Sequence, residues 1–191
     1  MTLYVRHFRL TCELANTYVV VEGETAQAWI VDVGEMSERL VDWVQSSRIM
    51  VTGIFVTHPH FDHNGAVKDY LKIFGEIPVY GGSPACGGPT THIVSESQKI
   101  FFGKSHAVPI HTPGHTPDHY MLFFPDDEIL FSGDALFAGS VGGTSSELTK
   151  NQQLQAIRAK VLSMQPSVRV YPGHGPMTSV GIEKTANPFF C

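Results

Sequence analysis

The feature that most constrains this chain is a run of seven residues, Thr57-His-Pro-His-Phe-Asp-His63. The segment leading into it, Val51-Thr-Gly-Ile-Phe-Val-Thr57, reads as a buried strand ending at His58-Pro59. Four side chains able to bind a metal ion, His58, His60, Asp62 and His63, therefore sit together at one strand end. Pro59 biases His58 towards extended backbone, which excludes a helical His-x-x-x-His pair. In extended chain His58 and His60 point the same way, because side chains alternate with a period of two. The chain must turn after Phe61, so Asp62 and His63 face a neighbouring point. That geometry suits two ions a few ångströms apart.

Three later segments repeat one arrangement, an apolar run, a glycine and then a ligand-type residue: Thr112-Pro-Gly-His115, Ser132-Gly-Asp134 and Pro172-Gly-His174. Glycine permits the sharp turn and close backbone approach that a site at a strand end needs. Taken singly, Asp134 reads equally as a turn residue and His174 as a cap. Taken together, His58, His60, Asp62, His63, His115, Asp134 and His174 form a metal-ligand set on four strand ends. Nitrogen and carboxylate donors without thiolate suit zinc, and also iron or manganese. Asp32, just before Val33-Gly34, reads either as a turn residue or as a support for one of these ligands. His106, His111 and His119 surround the Thr112–His115 turn and are candidates to line a pocket. His7 and His92 read as surface or strand residues. Phe61, Tyr120 and Phe137 read first as aromatic core, and Cys12 and Cys86 as packing residues.

The 191-residue chain as a whole reads as one domain, 1–191, with strands grouped together and a few helices outside, hence α/β or α+β. Strand-like runs fall at 3–10, 16–22, 27–33, 78–80, 106–111, 119–124, 128–132 and 168–171. Ser37 can cap a helix to about Ser47, and Gly75 closes a second over 65–74. Thr149 with Gln152 can form a capping box for a third, to about Met164. Residues 81–98 and 139–146 read as loops, the first long enough to suggest a role of its own. Thirteen basic against 18 acidic residues, net −5, provide no basic stripe for nucleic acid. No apolar run approaches the roughly 18 residues of a membrane helix. The N-terminus lacks the apolar run of a signal peptide, and three scattered cysteines suggest no disulfide framework, so a cytoplasmic setting is expected.

The set His58-x-His60-x-Asp62-His63, His115, Asp134 and His174 resembles the metal-binding signature of the metallo-beta-lactamase superfamily. The likeness extends from Trp29-Ile-Val-Asp-Val-Gly34 to Asn187-Pro-Phe-Phe190, and Thr112–Thr116, Phe131–Phe137 and Pro172–Gly175 look most like its glyoxalase II-like branch. The resemblance implies a four-layer αββα sandwich with two divalent metal ions at one edge of its sheets. It implies that His58, His60 and His115 hold one ion, that Asp62, His63 and His174 hold the other, and that Asp134 bridges. The activity implied is hydrolysis of a small thioester or ester, of the hydroxyacylglutathione hydrolase type, with Asp62 and Asp134 as catalytic carboxylates and a hydroxide between the ions as nucleophile. Two divalent ions with these two carboxylates and the hydroxide leave one net positive charge to stabilise the oxyanion.

The sequence departs from the glyoxalase II pattern in three places. The chain stops at Cys191, soon after His174, without the C-terminal helical region that longer relatives use for glutathione. Thr144 stands where many relatives carry a basic residue after the second glycine, and Asp118 where they carry glycine. A small-molecule substrate with weak preference for its glutathione part is therefore expected. The same ligands would serve a lactonase, and a subset would serve a mononuclear iron enzyme resembling the persulfide dioxygenases. A redox module resembling the flavodiiron proteins is disfavoured, since those place glutamate where His60 stands.

Overall fold

Two groups of strands determine the architecture. The central ones, such as Asn16–Glu22 and Ile129–Gly133, are buried along their whole length, while outer ones such as Leu3–Arg9 are exposed at several positions. The computed structural model describes residues 3–96 and 98–191; Met1, Thr2 and Ser97, the last within the expected 81–98 loop, lie outside the described residues. The first half runs β1 (Leu3–Arg9), β2 (Asn16–Glu22), β3 (Gln27–Val31), α1 (Glu38–Ser46), β4 (Met50–Phe55), the single turn α2 (Phe61–Asn64), α3 (Val67–Phe74), β5 (Val79–Gly81) and β6 (His92–Ile93). The second half runs β7 (Ile100–Phe102), β8 (Ser105–His111), β9 (Tyr120–Phe124), β10 (Ile129–Gly133), β11 (Leu136–Phe137), β12 (Ser140–Val141), α4 (Glu147–Lys160), β13 (Arg169–Pro172), β14 (Thr178–Ser179) and α5 (Val180–Ala186).

The first six strands form one sheet in chain order, and β14-β13-β10-β9-β8-β7 form the other. In β2, Val19 and Val21 face the layer of α1 and α3, while Tyr18 and Val20 face the opposite sheet. In β10, Ile129 and Phe131 face the first sheet, and Leu130 faces Ile157 and Val161 at the α4 side. Three apolar layers result, one between the sheets and one under each helical face. The protein is thus a four-layer αββα sandwich.

Helices α1 and α3 follow their signals, whereas α4 starts earlier than expected and ends at Lys160 rather than about Met164. Helices α2 and α5 lie outside the three expected ones. The Ser37 side chain accepts from Leu40 N–H and starts α1, as its position predicts. The capping box of α4 is formed by Ser146 and Thr149, not by Thr149 and Gln152. Ser146 is extended, and its hydroxyl accepts from Thr149 N–H at 3.2 Å, so the helix begins three residues earlier than expected. The 139–146 stretch is not wholly loop, because β12 pairs with β11. The 81–98 stretch contains a 3₁₀ turn at Pro84–Cys86 and β6, which adds parallel to β5. The segment after His174 carries β14 and α5, pinned by the buried Glu183 carboxylate, which accepts from Thr178 Oγ1 and Asn187 Nδ2.

Hydrogen bonds between the sheets close one edge of the sandwich. Asn16 N–H donates to Gly173 C=O, Asn16 Nδ2 and Tyr18 O–H both donate to Pro172 C=O, and Tyr120 N–H donates to Thr57 C=O. These links tie β2 to the end of β13, and the end of β4 to the start of β9. Among the described residues no helix is long and apolar enough to cross a membrane.

Candidate metal centre

The closed edge is where all seven predicted ligands meet. His58, His60, Asp62 and His63 follow β4, His115 follows β8, Asp134 follows β10 and His174 follows β13. His58 and His60 point the same way, as the alternation requires, and with His115 they bring three ring nitrogens together. His60 Nδ1 lies 3.0 Å from His58 Nε2 and 3.0 Å from His115 Nε2. Asp62, His63 and His174 make a second trio, because α2 starts at Phe61 and turns Asp62 and His63 away from the first. His174 Nε2 is 3.1 Å from Asp62 Oδ2, and His63 Nε2 is 3.4 Å from the same oxygen. Asp134 reaches both groups, with Oδ2 at 3.6 Å from His115 Nε2 and 3.4 Å from His174 Nε2.

Glycine is required where these strand ends touch. Gly133 has φ of +49°, and Gly173 lies so close that a Cβ there would stand 2.1 Å from Asp134 Oδ1. Any larger residue at 173 would push the carboxylate out of the cluster.

Hydrogen bonds behind the ligands decide which ring nitrogen faces forward. Asp32 is buried with φ of +58°, and its carboxylate accepts from Thr57 N–H, from the Thr57 hydroxyl at 2.9 Å and from His63 Nδ1–H at 2.8 Å. A carboxylate can only accept, so the Thr57 oxygen is left to accept from His58 Nδ1–H at 3.0 Å. One aspartate thus turns the Nε2 lone pairs of His58 and His63 towards the cluster, one in each trio. His115 Nδ1–H donates to Gly143 C=O at 2.7 Å, which presents its Nε2 likewise.

The electrostatics differ between the two trios. Burial, reinforced by the neighbouring histidines, holds His58 well below the usual imidazole range and lowers His60 as well, which favours the neutral rings that offer a lone pair. Asp62 is pulled down to about 2, first by its hydrogen bond with His63. Burial pushes the Asp134 carboxyl up, but the hydrogen bond from His174 and the nearby histidine charges outweigh it and leave it low. Burial opposes charge on His63 too, yet Asp32 and the other carboxylates raise it well above its ordinary value. The second trio is a place where positive charge is favoured.

These residues fit metal ions. At most one proton, on His60, can lie among three nitrogens that converge at 3.0 Å, whereas a single cation accepts all three lone pairs. Asp134 Oδ1 is buried and has no hydrogen-bond partner among the described residues, an orphaned carboxylate oxygen of the kind that a cation satisfies.

Several other readings are corrected by the structure. Phe61 is 71% exposed rather than core, because α2 projects it outwards beside the cluster. Cys12 is half-exposed in the β1–β2 turn, while Cys86 is buried as expected. His111 does not line the site; it stacks on Tyr120 with ring centroids 4.7 Å apart. His106 instead approaches Asp126 at 3.3 Å. His119 is wholly buried behind the cluster and belongs to no pocket wall. The sequence reading missed Thr57 and the Gly143 carbonyl, since a hydroxyl next to a histidine and a bare glycine carry no signal of their own.

The sequence profile of the metallo-beta-lactamase superfamily matches residues 10–174. A hydroxyacylglutathione hydrolase of Hydrogenovibrio crunogenus is 31% identical over 167 residues, which are 84% of this chain but only 60% of that protein. Hydroxyacylglutathione hydrolase GloC of Haemophilus influenzae is 26% identical over 97% of this chain and 94% of its own length. The crystal structure of the BLEG-1 B3 metallo-beta-lactamase superposes with a TM-score of 0.86 at 31% identity, covering 98% of this chain and 99% of that one. Relatives so similar carry names for different reactions, so likeness settles the family and leaves the substrate open. The chain belongs to the metallo-beta-lactamase superfamily, whose members are mostly hydrolases.

Proposed function

We propose that this chain, as one domain over 1–191, is a dinuclear metal-dependent hydrolase that cleaves a small thioester or ester, in the manner of the glyoxalase II enzymes. The observation that carries the reading is the pair of ligand trios with Asp134 between them, His115 on one side and His174 on the other. His58, His60 and His115 would hold one ion, Asp62, His63 and His174 the other, and Asp134 both. When bound, two divalent ions, zinc first and otherwise iron or manganese, lower the pKa of a water molecule towards neutrality and polarise the carbonyl under attack. Asp62 and Asp134 are the catalytic carboxylates; both stay ionised at neutral pH and neutralise part of the cationic charge, leaving the remainder for the developing oxyanion. Asp32 and Thr57 keep the ring nitrogens aimed.

The substrate is a small molecule, in keeping with a net charge of −5 that supplies no stripe for nucleic acid. A cytoplasmic, reducing setting completes the proposal, in keeping with Cys12, Cys86 and Cys191 all being free. The likeness to GloC over 94% of that protein's length supports a glutathione thioester within the proposed substrate class. Weak preference for glutathione rests on Thr144, which places no cation beside the His115–Gly143 contact. The cavity there, about 390 Å³, does include Lys150, but its ammonium lies 3.6 Å from the Glu147 carboxylate. Each missing charge-assisted contact is worth about 1.5–3 kcal/mol, or roughly tenfold or more in the Michaelis constant.

The test is elemental analysis of chelator-free protein together with a panel of thioesters, lactones and nitrocefin. Two equivalents of metal with thioester turnover are expected. One iron per chain with sulfide-dependent oxygen uptake would replace this reading with an oxygenase. S-lactoylglutathione should show a high Michaelis constant, close to that of a lactoyl thioester on a truncated, uncharged thiol. A hundredfold preference for the glutathione conjugate would remove the weak-preference claim.

A further inference from the structure

We infer that His119 is a positioning residue that fixes the backbone of Asp134 and thereby holds its carboxylate between the two ligand trios. The inference rests on the metal-binding reading above.

His119 is fully buried, and both ring nitrogens are engaged. The Asp134 N–H donates to His119 Nε2 at 3.1 Å, so that nitrogen must carry the lone pair. The proton then sits on Nδ1, where it donates to Thr112 Oγ1 at 2.8 Å. Thr112 N–H in turn donates to His119 C=O, which closes the loop that carries His115. The ring therefore spans two ligand-bearing segments, the Thr112–His115 turn and the Gly133-Asp134 turn. It also lies 5.3 Å from the His58 ring, at a tilt of 32°. Gly133 shows how tight the fit is, since a Cβ there would stand 2.6 Å from His119 Nε2. No lone pair of this histidine is left for a metal, because Nε2 receives the Asp134 amide and Nδ1 carries the proton that Thr112 accepts. Its effect reaches the ions only through where Asp134 Oδ1 and Oδ2 are placed.

Two near-isosteric variants separate the hydrogen bonds. Gln at 119 carries an acceptor about where Nε2 lies and can still receive the Asp134 N–H. Asn carries a donor about where Nδ1 lies and can serve Thr112, but it is too short for Asp134. Metal affinity by chelator competition and the absorption spectrum of the cobalt-loaded protein are the readouts, with no need of a substrate. His119→Gln should stay within about threefold of the parent, with the same spectrum. His119→Asn should weaken binding about 10–100-fold, the range for residues that orient ligands, and shift the spectrum. Parent affinity and spectrum in His119→Asn, or equal losses in both variants, would overturn the inference and leave the ring as packing. If neither variant folds, the ring tautomer of the unmodified protein decides, read by nitrogen-15 NMR of the zinc-loaded form. An Nδ1–H neutral ring supports the inference, and an Nε2–H ring or an imidazolium at neutral pH overturns it. Should the parent bind one ion rather than two, the dinuclear reading fails by itself, and the Gln–Asn contrast is read on that ion.

Discussion

At the scale of single residues, the cluster works by division of labour between ligands and the groups that aim them. Asp134 lies within 3.6 Å of a nitrogen from each trio, so Asp134→Ala should lose metal and activity together. Full metal content and parental turnover in that variant would show that the carboxylate does not bridge. Asp32 touches no candidate ion position, yet it orients His63 directly and His58 through Thr57. Asp32→Asn should therefore weaken binding at both positions by about 10–100-fold. Thr57→Val should weaken mainly the His58 trio. Competition with a metallochromic chelator separates the two patterns, and identical patterns would mean that Thr57 carries no orienting role.

At the scale of elements, strand ends carry the chemistry and strand turns carry much of the acid sensitivity. The turn between β2 and β3 is organised by Glu22, whose carboxylate accepts from Thr25 Oγ1 at 2.5 Å, Thr25 N–H at 2.8 Å and Glu24 N–H at 3.1 Å. These bonds, the Thr25 hydroxyl first, hold its carboxyl below the ordinary value of 4.5. A group depressed in the folded state contributes in full above its unfolded value and loses that contribution as pH falls through the folded one. Melting temperature should thus fall as pH drops below the ordinary glutamate value, and Glu22→Gln should flatten that fall while lowering the plateau at pH 7. A Glu22→Gln profile parallel to the parent would show that the turn does not couple to acid. The turn was readable in the sequence from Glu22-Gly-Glu; that its first residue is buried and accepts three bonds was not.

At the scale of the whole molecule, the clustered residues come from both sheets. Five of the groups involved, Asp32, His58, His60, Asp62 and His63, come from the first half, and His115, His119, Asp134 and His174 come from the second. Metal removal should accordingly destabilise the entire sandwich rather than fray one loop. For an ion present at 100 times its dissociation constant the loss is about 2.7 kcal/mol per site. In a chain of this size that corresponds to a melting temperature lower by about 5–10 °C. Calorimetry with and without chelator measures it. An unchanged melting temperature on complete stripping would mean that the ligands are held by the fold alone.

The sequence by itself pointed to the longer strands of both sheets, the helices at Ser37 and Gly75, and the seven residues that meet at the closed edge. Those features are local: alternation, caps and a glycine before each ligand are written in consecutive residues, and His58-Pro-His60 dictates its own geometry. Only the tertiary structure decided what surrounds them. The roles of Asp32, Thr57 and His119 depend on partners that lie 25, 31 and 15 residues away or on a neighbouring ring, and no spacing rule connects such pairs. Short strands such as β6, β11 and β14 exist because a neighbour offers them a pairing edge, not because their own two residues prefer to extend. The α4 cap moved to Ser146 for a related reason: its reciprocal bonds with Thr149 satisfied amides that the sequence pattern of Thr149 and Gln152 only promised to satisfy. The identity of the clustered residues was a property of the chain, while the orientation of their side chains was a property of the closed edge, where buried donors and acceptors had to find one another once water was excluded.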